Sequence, residues 1–291
     1  MIAAKAYAKI NWALDILATR ENGYHEMDML MQSISVYDTL TFEEAEELTL
    51  LMDGRPFPEA DKYLIFRAAR LLKEVTGCKR GARIDFHPVT PVMAGLGGGS
   101  ADCAAAMRAL NELWELNLPE EKLLELGFSL GADVAFCLMG GLQRVRGLGE
   151  KLEALQAADS PEMLLIMPDG GLSTGLVFGE YDRNERSMPK IDMDAAQNAL
   201  CCGDYEKAEQ YARNALTEPA MKMSAAVGPA IEALYEQGAV MARMSGSGSA
   251  VFGVFRNAEE ADAAQAALAK RYDFCERIHT RPVGVEMEKR A

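Results

Sequence analysis

The sequence predicts an α+β fold in two domains around a shared cleft, and three observations carry that prediction. The 291 residues exceed the usual size of one compact domain, and 49% of them are apolar, enough for a sizeable core. The first sixty residues are rich in strand patterns. The last third alternates helix and strand signals in a βαβ-like order, marking a second, smaller unit that begins near residue 160. The expected division is therefore residues 1–158 and 159–291.

In chain order, residues 8–17 and 27–36 carry strand-like apolar stretches, and 39–42 and 48–52 follow after short breaks. Between the first two stands Asn22-Gly23, a strong turn signal, because tight hairpins need positive φ and these residues adopt it at low cost. Residues 63–75 switch to helical spacing, with Leu64, Ala68, Leu71, Leu72 and Val75 on one face. Residues 83–87 read as a short strand. Ser100 is the expected N-cap of the next helix, with Asp102 in the first turn, where a carboxylate suits the helix dipole. Cys103, Met107, Leu110 and Trp114 then share a face. A further helix spans 119–130, closed by Gly131. An apolar run returns at 163–167, and 192–211 reads as one helix. After it come helix 228–236, strand 240–244, a glycine turn, strand 250–255, helix 258–270, and strands near Ile278 and at 283–287.

Composition removes several function classes. The net charge of −14, with no basic patch, opposes binding to nucleic acid or to an anionic membrane surface. The acidic cluster 43–47 is expected to be a solvated strand edge or turn. Six cysteines without a CxxC pair, beside only three histidines, argue against a zinc site and against a disulfide framework. Lys5, Lys9 and Asn11 interrupt the N-terminal apolar stretch, so it does not read as a signal peptide. No apolar run approaches the roughly 18 residues of a spanning helix. A soluble, cytoplasmic protein is the expectation; protein partners are not legible.

The richest stretch for chemistry is Pro91, Val92, Met93, Ala94, Gly95, Leu96, Gly97, Gly98, Gly99, Ser100 and Ala101. Its glycines let the backbone approach a ligand closely, and their N–H groups with the following helix N-terminus form an anion site. Two familiar loops are excluded. The string GxxxxGK[ST] does not occur, and GxGxxG fails because the sixth residue from Gly95 is Ser100 and from Gly97 is Asp102.

This P-x-x-x-G-L-G-G-G-S-A stretch resembles the phosphate-binding motif of the GHMP kinases, the superfamily of galactokinase, homoserine kinase, mevalonate kinase and phosphomevalonate kinase. AYAKINWAL at 6–14 is similar to the N-terminal substrate motif of that superfamily, and RMSGSGSAVFGVF at 243–255 to its C-terminal glycine motif. Within the superfamily, AKIN (8–11), GYH (23–25), GLGGGSAD (95–102), GADVAF (131–136) and GLGE (147–150) resemble the 4-diphosphocytidyl-2-C-methyl-D-erythritol kinase family, as does 28–42. The likeness spans nearly the whole chain.

The resemblance implies a ribosomal protein S5 domain 2-like N-terminal domain, a ferredoxin-like C-terminal domain, and ATP-dependent phosphorylation of the 2-hydroxyl of that cytidine diphosphate substrate. Two other readings remain: a GHMP kinase for a different small alcohol, or a non-catalytic nucleotide-binding paralogue. On the resemblance, Asp133 is the catalytic base and Lys9 the catalytic lysine. Lys9 also stands in an otherwise apolar stretch, where an unpaired charge is costly to bury and a carboxylate such as Asp133 would explain it. Asn11, Tyr24 and His25 are expected at the substrate, the last two at the cytosine. Phe178 is expected on the other side of the base, with Thr174 near the same end. Gly246, Ser247 and Gly248 are expected to form a second backbone cradle facing the substrate phosphates, Ser100 to donate to the ATP phosphates or to magnesium-bound water, and Asp102 to cap the helix or lie near the nucleotide. Magnesium is implied as a passenger on ATP, with no dedicated carboxylate cluster. Tyr7, Tyr63, Ala101 and Ala135 depart from the family pattern, where proline, asparagine, serine and proline stand.

Overall fold

The computed structural model describes residues 1–21, 23–57, 59–183 and 190–290, so Asn22 of the expected turn lies outside the described residues. The chain opens with two long strands, β1 (Ile2–Thr19) and β2 (His25–Ala45), followed by β3 (Leu48–Met52) and β4 (Arg55–Pro56). Then come α1 (Leu64–Thr76), β5 (Gly81–His87), α2 (Gly98–Leu113), α3 (Glu120–Leu130), α4 (Val134–Met139), β6 (Leu142–Gly147) and β7 (Lys151–Leu155). The second half holds β8 (Glu162–Met167), α5 (Thr174–Arg183), α6 (Met193–Cys201), α7 (Tyr205–Tyr211), α8 (Thr217–Met223) and α9 (Val227–Glu236). It ends with β9 (Met241–Met244), β10 (Val251–Phe255), α10 (Ala258–Leu268), β11 (Phe274–Ile278) and β12 (Val285–Lys289).

The first sheet runs β12-β1-β2-β5-β3-β4, with β6 paired to the early half of β2 and β7 to β6. β1 and β2 pair antiparallel nearly end to end, with register shifts at Tyr7/Lys9, Asn11/Ala13 and Ile16/Ala18. Such shifts bend a strand and re-aim the residues beyond them. β2 does not stop between its two apolar stretches, because β1 supplies ladder partners through the polar step at Tyr37-Asp38 and β5 joins from Thr39. β3 and β5 are parallel, as a crossover through α1 requires. α1 turns Ile65, Ala68, Ala69 and Leu72 inward, and α2 buries Ala101, Ala104, Ala105, Ala106 and Ala109, whose small side chains bring it close to its neighbours.

The second sheet runs β11-β8-β10-β9. The helix expected over 192–211 is two helices. Asp192 and Asp204 each accept from a backbone N–H three residues on, and Gly203 at φ 72° breaks the path between them. The end of the chain departs from the division expected at residue 159. β12 pairs antiparallel with β1, Ile2 opposite Lys289, and so completes the first sheet. Its apolar pattern announces a strand without naming the sheet. Trp12 of β1 meets Phe252 of β10 edge to face at 5.2 Å, joining the two sheets in one apolar cluster. Among the described residues no helix is long and apolar enough to cross a membrane.

Candidate active site

The two glycine motifs are pressed together. Ala250 N–H donates to the Ala94 carbonyl at 3.1 Å, and the Ser245 hydroxyl donates to the Gly95 carbonyl at 2.9 Å. Gly95 has φ 74°, and a Cβ there would stand 2.0 Å from the Ser245 carbonyl oxygen, so only glycine permits the approach. On the far side Asn214 Nδ2 donates to the carbonyls of Met244 (2.9 Å) and Gly246 (2.7 Å), fixing the second turn.

Helix α2 begins differently from expectation. Gly97, in the left-handed region at φ 68°, is the N-cap; Ser100 lies inside the helix, and no side chain caps it. A serine cap would have spent one of the open N–H groups on its own side chain. Uncapped, they remain available to an anion, with the helix dipole behind them. Asp102 does not cap the helix either: it is buried, and it lines the cleft beside the first turn of α2.

Lys9 and Asn11, alternate residues of β1, share a face. The Lys9 ammonium, 4% exposed, donates to Asn11 Oδ1 at 2.7 Å and lies 3.6 Å from Asp133 Oδ2. Asp133 precedes α4, but its carboxylate makes no capping bond to the helix, so it is left to face Lys9 and the cleft. Ala135 sits buried in the first turn of α4. The aliphatic stem of Lys9 runs beneath Gly97, where an added Cβ would come within 3.0 Å of Lys9 Cγ.

These groups line one cleft of about 710 Å³. Residues 91–100, Lys9, Asn11, Asp133, Thr174, Phe178, Gly246 and Ser247 all face it, and Tyr63, Met52, Phe86 and Pro88 form an apolar end. Ala101 is fully buried on the sheet side of α2, so it offers no contact to a ligand. Gly248 stands behind the turn, its N–H donating to the Ser245 carbonyl. Thr174 and Ser247 hydroxyls lie 2.9 Å apart, tying α5 to the second glycine turn.

His25 and Tyr24 sit beyond the cleft wall, at the β1–β2 hairpin. His25 is gripped by α5: its ring lies 4.8 Å from Phe178, tilted 31°, and meets Tyr181 edge-on at 6.0 Å, while its Nε2 lies 2.7 Å from Asp182 Oδ1. Phe178 thus packs on His25 itself. Tyr24 is 63% exposed. Sequence reasoning missed Asp182, Asn214, Ser245 and Asp38. Asp182 had a signal, since it falls four residues after Phe178 and eight after Thr174 on one helical face.

Comparison with known proteins agrees with this geometry. The family profile "GHMP kinases N terminal domain" matches residues 63–141, and "GHMP kinases C terminal" matches 194–273. The chain is 41% identical to the 4-diphosphocytidyl-2-C-methyl-D-erythritol kinase of Pelotomaculum thermopropionicum, over 90% of this chain and 91% of that one. It is 36% identical to the enzyme of the same name from Thermoanaerobacter pseudethanolicus, over 98% of each. A crystal structure of 4-(cytidine 5'-diphospho)-2C-methyl-D-erythritol kinase superposes with a TM-score of 0.80 at 31% identity, covering 96% of this chain and 98% of that one. The mevalonate kinase of L. major shares the fold, with a TM-score of 0.72 at 18% identity over 96% and 95% of the two chains. A full-length likeness of this depth, on a site built from a glycine cradle and a Lys–Asp pair, places the chain in the 4-diphosphocytidyl-2-C-methyl-D-erythritol kinase family of GHMP kinases.

Proposed function

We propose that the chain transfers the γ-phosphoryl group of ATP to the 2-hydroxyl of 4-diphosphocytidyl-2-C-methyl-D-erythritol, a step in non-mevalonate isoprenoid precursor synthesis. The observation that carries this reading is the buried Lys9 paired with the half-buried Asp133, facing an uncapped glycine-rich helix N-terminus across one cleft.

In this reading ATP lays its purine on the apolar end by Tyr63 and Met52, and its phosphates on the N–H groups of residues 95–100. Asp133 accepts the proton of the substrate hydroxyl as its oxygen bonds to the γ-phosphorus and the bond to the ADP oxygen breaks. General-base help of this kind is worth about 10²–10⁴ in rate. Lys9, held by Asn11, keeps Asp133 in place and offsets charge on the transferring group. Among the described residues no group of three or more metal-ligating side chains forms, so the fitting donors for magnesium are ATP's own oxygens and the Ser100 hydroxyl. When carried in on ATP, magnesium would supply positive charge where negative charge concentrates during phosphoryl transfer.

The cytosine end is read by His25 and Tyr24, and Asp182 serves His25. With Nε2 engaged by the Asp182 carboxylate, Nε2 carries the hydrogen and the other ring nitrogen is left to address the base edge. Asp182→Ala is expected to raise KM for the cytidine substrate about tenfold, the worth of one charge-assisted hydrogen bond, with KM for ATP unchanged. Steady-state kinetics with each substrate varied in turn checks it; equal effects on both KM values would contradict it. The reaction itself is tested by phosphorus NMR of the product, which should show one new monoester on the 2-carbon. A monoester elsewhere would overturn the proposed acceptor.

A further inference from the structure

Residues 212–216 connect α7 to α8, and Ala212, Asn214, Ala215 and Leu216 among them are buried. A buried connection must satisfy its backbone groups inside the protein. This one does so on β1: the Leu14 N–H donates to the Arg213 carbonyl at 2.8 Å, and the Ala215 N–H donates to the Leu14 carbonyl at 2.9 Å. Leu14 lies three residues beyond Asn11 on the strand that carries Lys9. On its other side the same segment reaches the second glycine turn through one side chain, Asn214, which is 5% exposed. The strand that bears the ammonium and the turn beside it are thus held by one short segment.

The Asn214 carboxamide is fully engaged. Its Nδ2 donates to the carbonyls of Met244 and Gly246, and its Oδ1 accepts from the Leu216 N–H at 2.9 Å. Two carbonyls on the nitrogen side and an N–H on the oxygen side leave one orientation for the amide. The Gly246–Ser247 peptide is trans, so its carbonyl and its N–H point in opposite directions. Holding the Gly246 carbonyl therefore aims the Ser247 N–H away from Asn214. Gly246 and Ser247 line the cleft, whereas Asn214 lines a separate cavity of about 810 Å³ behind the turn, so this N–H faces the cleft side. It has no hydrogen-bond partner among the described residues, and the Ser247 hydroxyl is already engaged by Thr174. The turn also lies close to the catalytic strand. A Cβ on Gly246 would stand 3.0 Å from Lys9 Nζ and 3.3 Å from Asn11 Oδ1.

We propose that Asn214 is a positioning residue that locks the Gly246–Ser247 peptide with its N–H towards the cleft and its carbonyl away, so that the turn receives the diphosphate of the substrate. The lock rests on the reading of the cleft as the site of a cytidine diphosphate compound. Gly246, at φ 52°, has the backbone freedom to let this peptide rotate once its carbonyl is released. A rotated peptide sets a carbonyl oxygen against the anion in place of a donor. Asparagine suits the task, because an aspartate of the same size would turn an acceptor towards two carbonyls. The phosphate loop is tied to the second motif by the Ala250 N–H and the Ser245 hydroxyl, and neither bond involves Asn214. The effect therefore falls on the substrate and not on the nucleotide.

The test is calorimetric titration of the full chain with 4-diphosphocytidyl-2-C-methyl-D-erythritol alone and, separately, with Mg-ADP. Asn214→Ala is expected to bind the cytidine compound about tenfold more weakly, as for one lost hydrogen bond to a charged group, and to bind Mg-ADP as wild type does. The fold should survive, because water from the cavity behind the turn reaches both freed carbonyls without fixing them. Gln265→Ala is the control. It removes a 3.0 Å hydrogen bond from α10 to the Cys275 carbonyl of β11, and should lower Tm while leaving both affinities unchanged. Nitrogen-15 labelling of serine gives a second readout from wild type itself. The Ser247 amide proton should move downfield as the cytidine compound binds, the mark of a new hydrogen bond to phosphate, and should move much less in the Ala variant. An Ala variant that binds the compound as wild type does, or that loses both ligands equally, would overturn the lock. So would a wild-type Ser247 amide that stays in place at saturation, a result that needs no variant to fold. Wild type that binds no cytidine compound would overturn the functional reading and the lock with it.

Discussion

Lys9→Met and Asp133→Asn are each expected to lower kcat by about three orders of magnitude, the combined scale of a lost base and a lost electrostatic contact. The fold should survive both. Methionine keeps the apolar stem that packs under Gly97, and the Asp133 side chain, 33% exposed, can be solvated when its partner is gone. Because the two side chains act as one unit 3.6 Å apart, the double variant should be little worse than either single one. Rapid-mix kinetics with matched circular dichroism checks this. A folded variant with wild-type turnover at either position would remove that residue from the chemistry.

Gly95→Ala should be the most damaging single methyl in the molecule's cleft. The new Cβ would stand 2.0 Å from the Ser245 carbonyl oxygen and 2.9 Å from the Gly248 nitrogen, both backbone atoms that yield only by separating the two glycine motifs. Strain at positive φ adds to the clash, and together they should cost about 2–4 kcal/mol of stability. Gly99→Ala is the contrast. No atom lies within 4 Å of its added Cβ, and its φ is not positive, so the better helix former should leave stability unchanged or raise it by up to about 1 kcal/mol. Denaturant unfolding of the two variants side by side decides the matter. Similar midpoints would mean that the close approach at Gly95 does not hold the motifs together.

The Lys9–Asp133 pair and the glycine cradle were legible because their signals are written in runs. A lysine in an apolar stretch and five glycine-rich positions before a helix are local signals. Asp38 shows why other parts were not. It follows Tyr37 at a pause in the apolar pattern and reads as a break between two strands. The strand in fact continues, and the carboxylate is buried because its partners, the N–H groups of Val89 and Thr90, lie 51 and 52 residues further along the chain. No pattern in a window of sequence carries such a contact. Ser100 failed for a different reason: capping preference predicts a satisfied helix start, whereas here the start carries no side-chain cap and its N–H groups stay open. The placement of β12 beside β1 was likewise hidden, because register with a strand nearly the whole chain away is a tertiary fact.

The measurement that bears most directly on the central claim is ADP release by the purified chain with Mg-ATP and a panel of alcohols. The panel holds 4-diphosphocytidyl-2-C-methyl-D-erythritol, its uncytidylylated phosphate precursor, homoserine, mevalonate and galactose. Release with the first compound alone is the expected result. Release with another member and none with the first would contradict the cytosine reading of Tyr24 and His25, while silence across the whole panel would contradict the assignment of Lys9 and Asp133 to a working kinase.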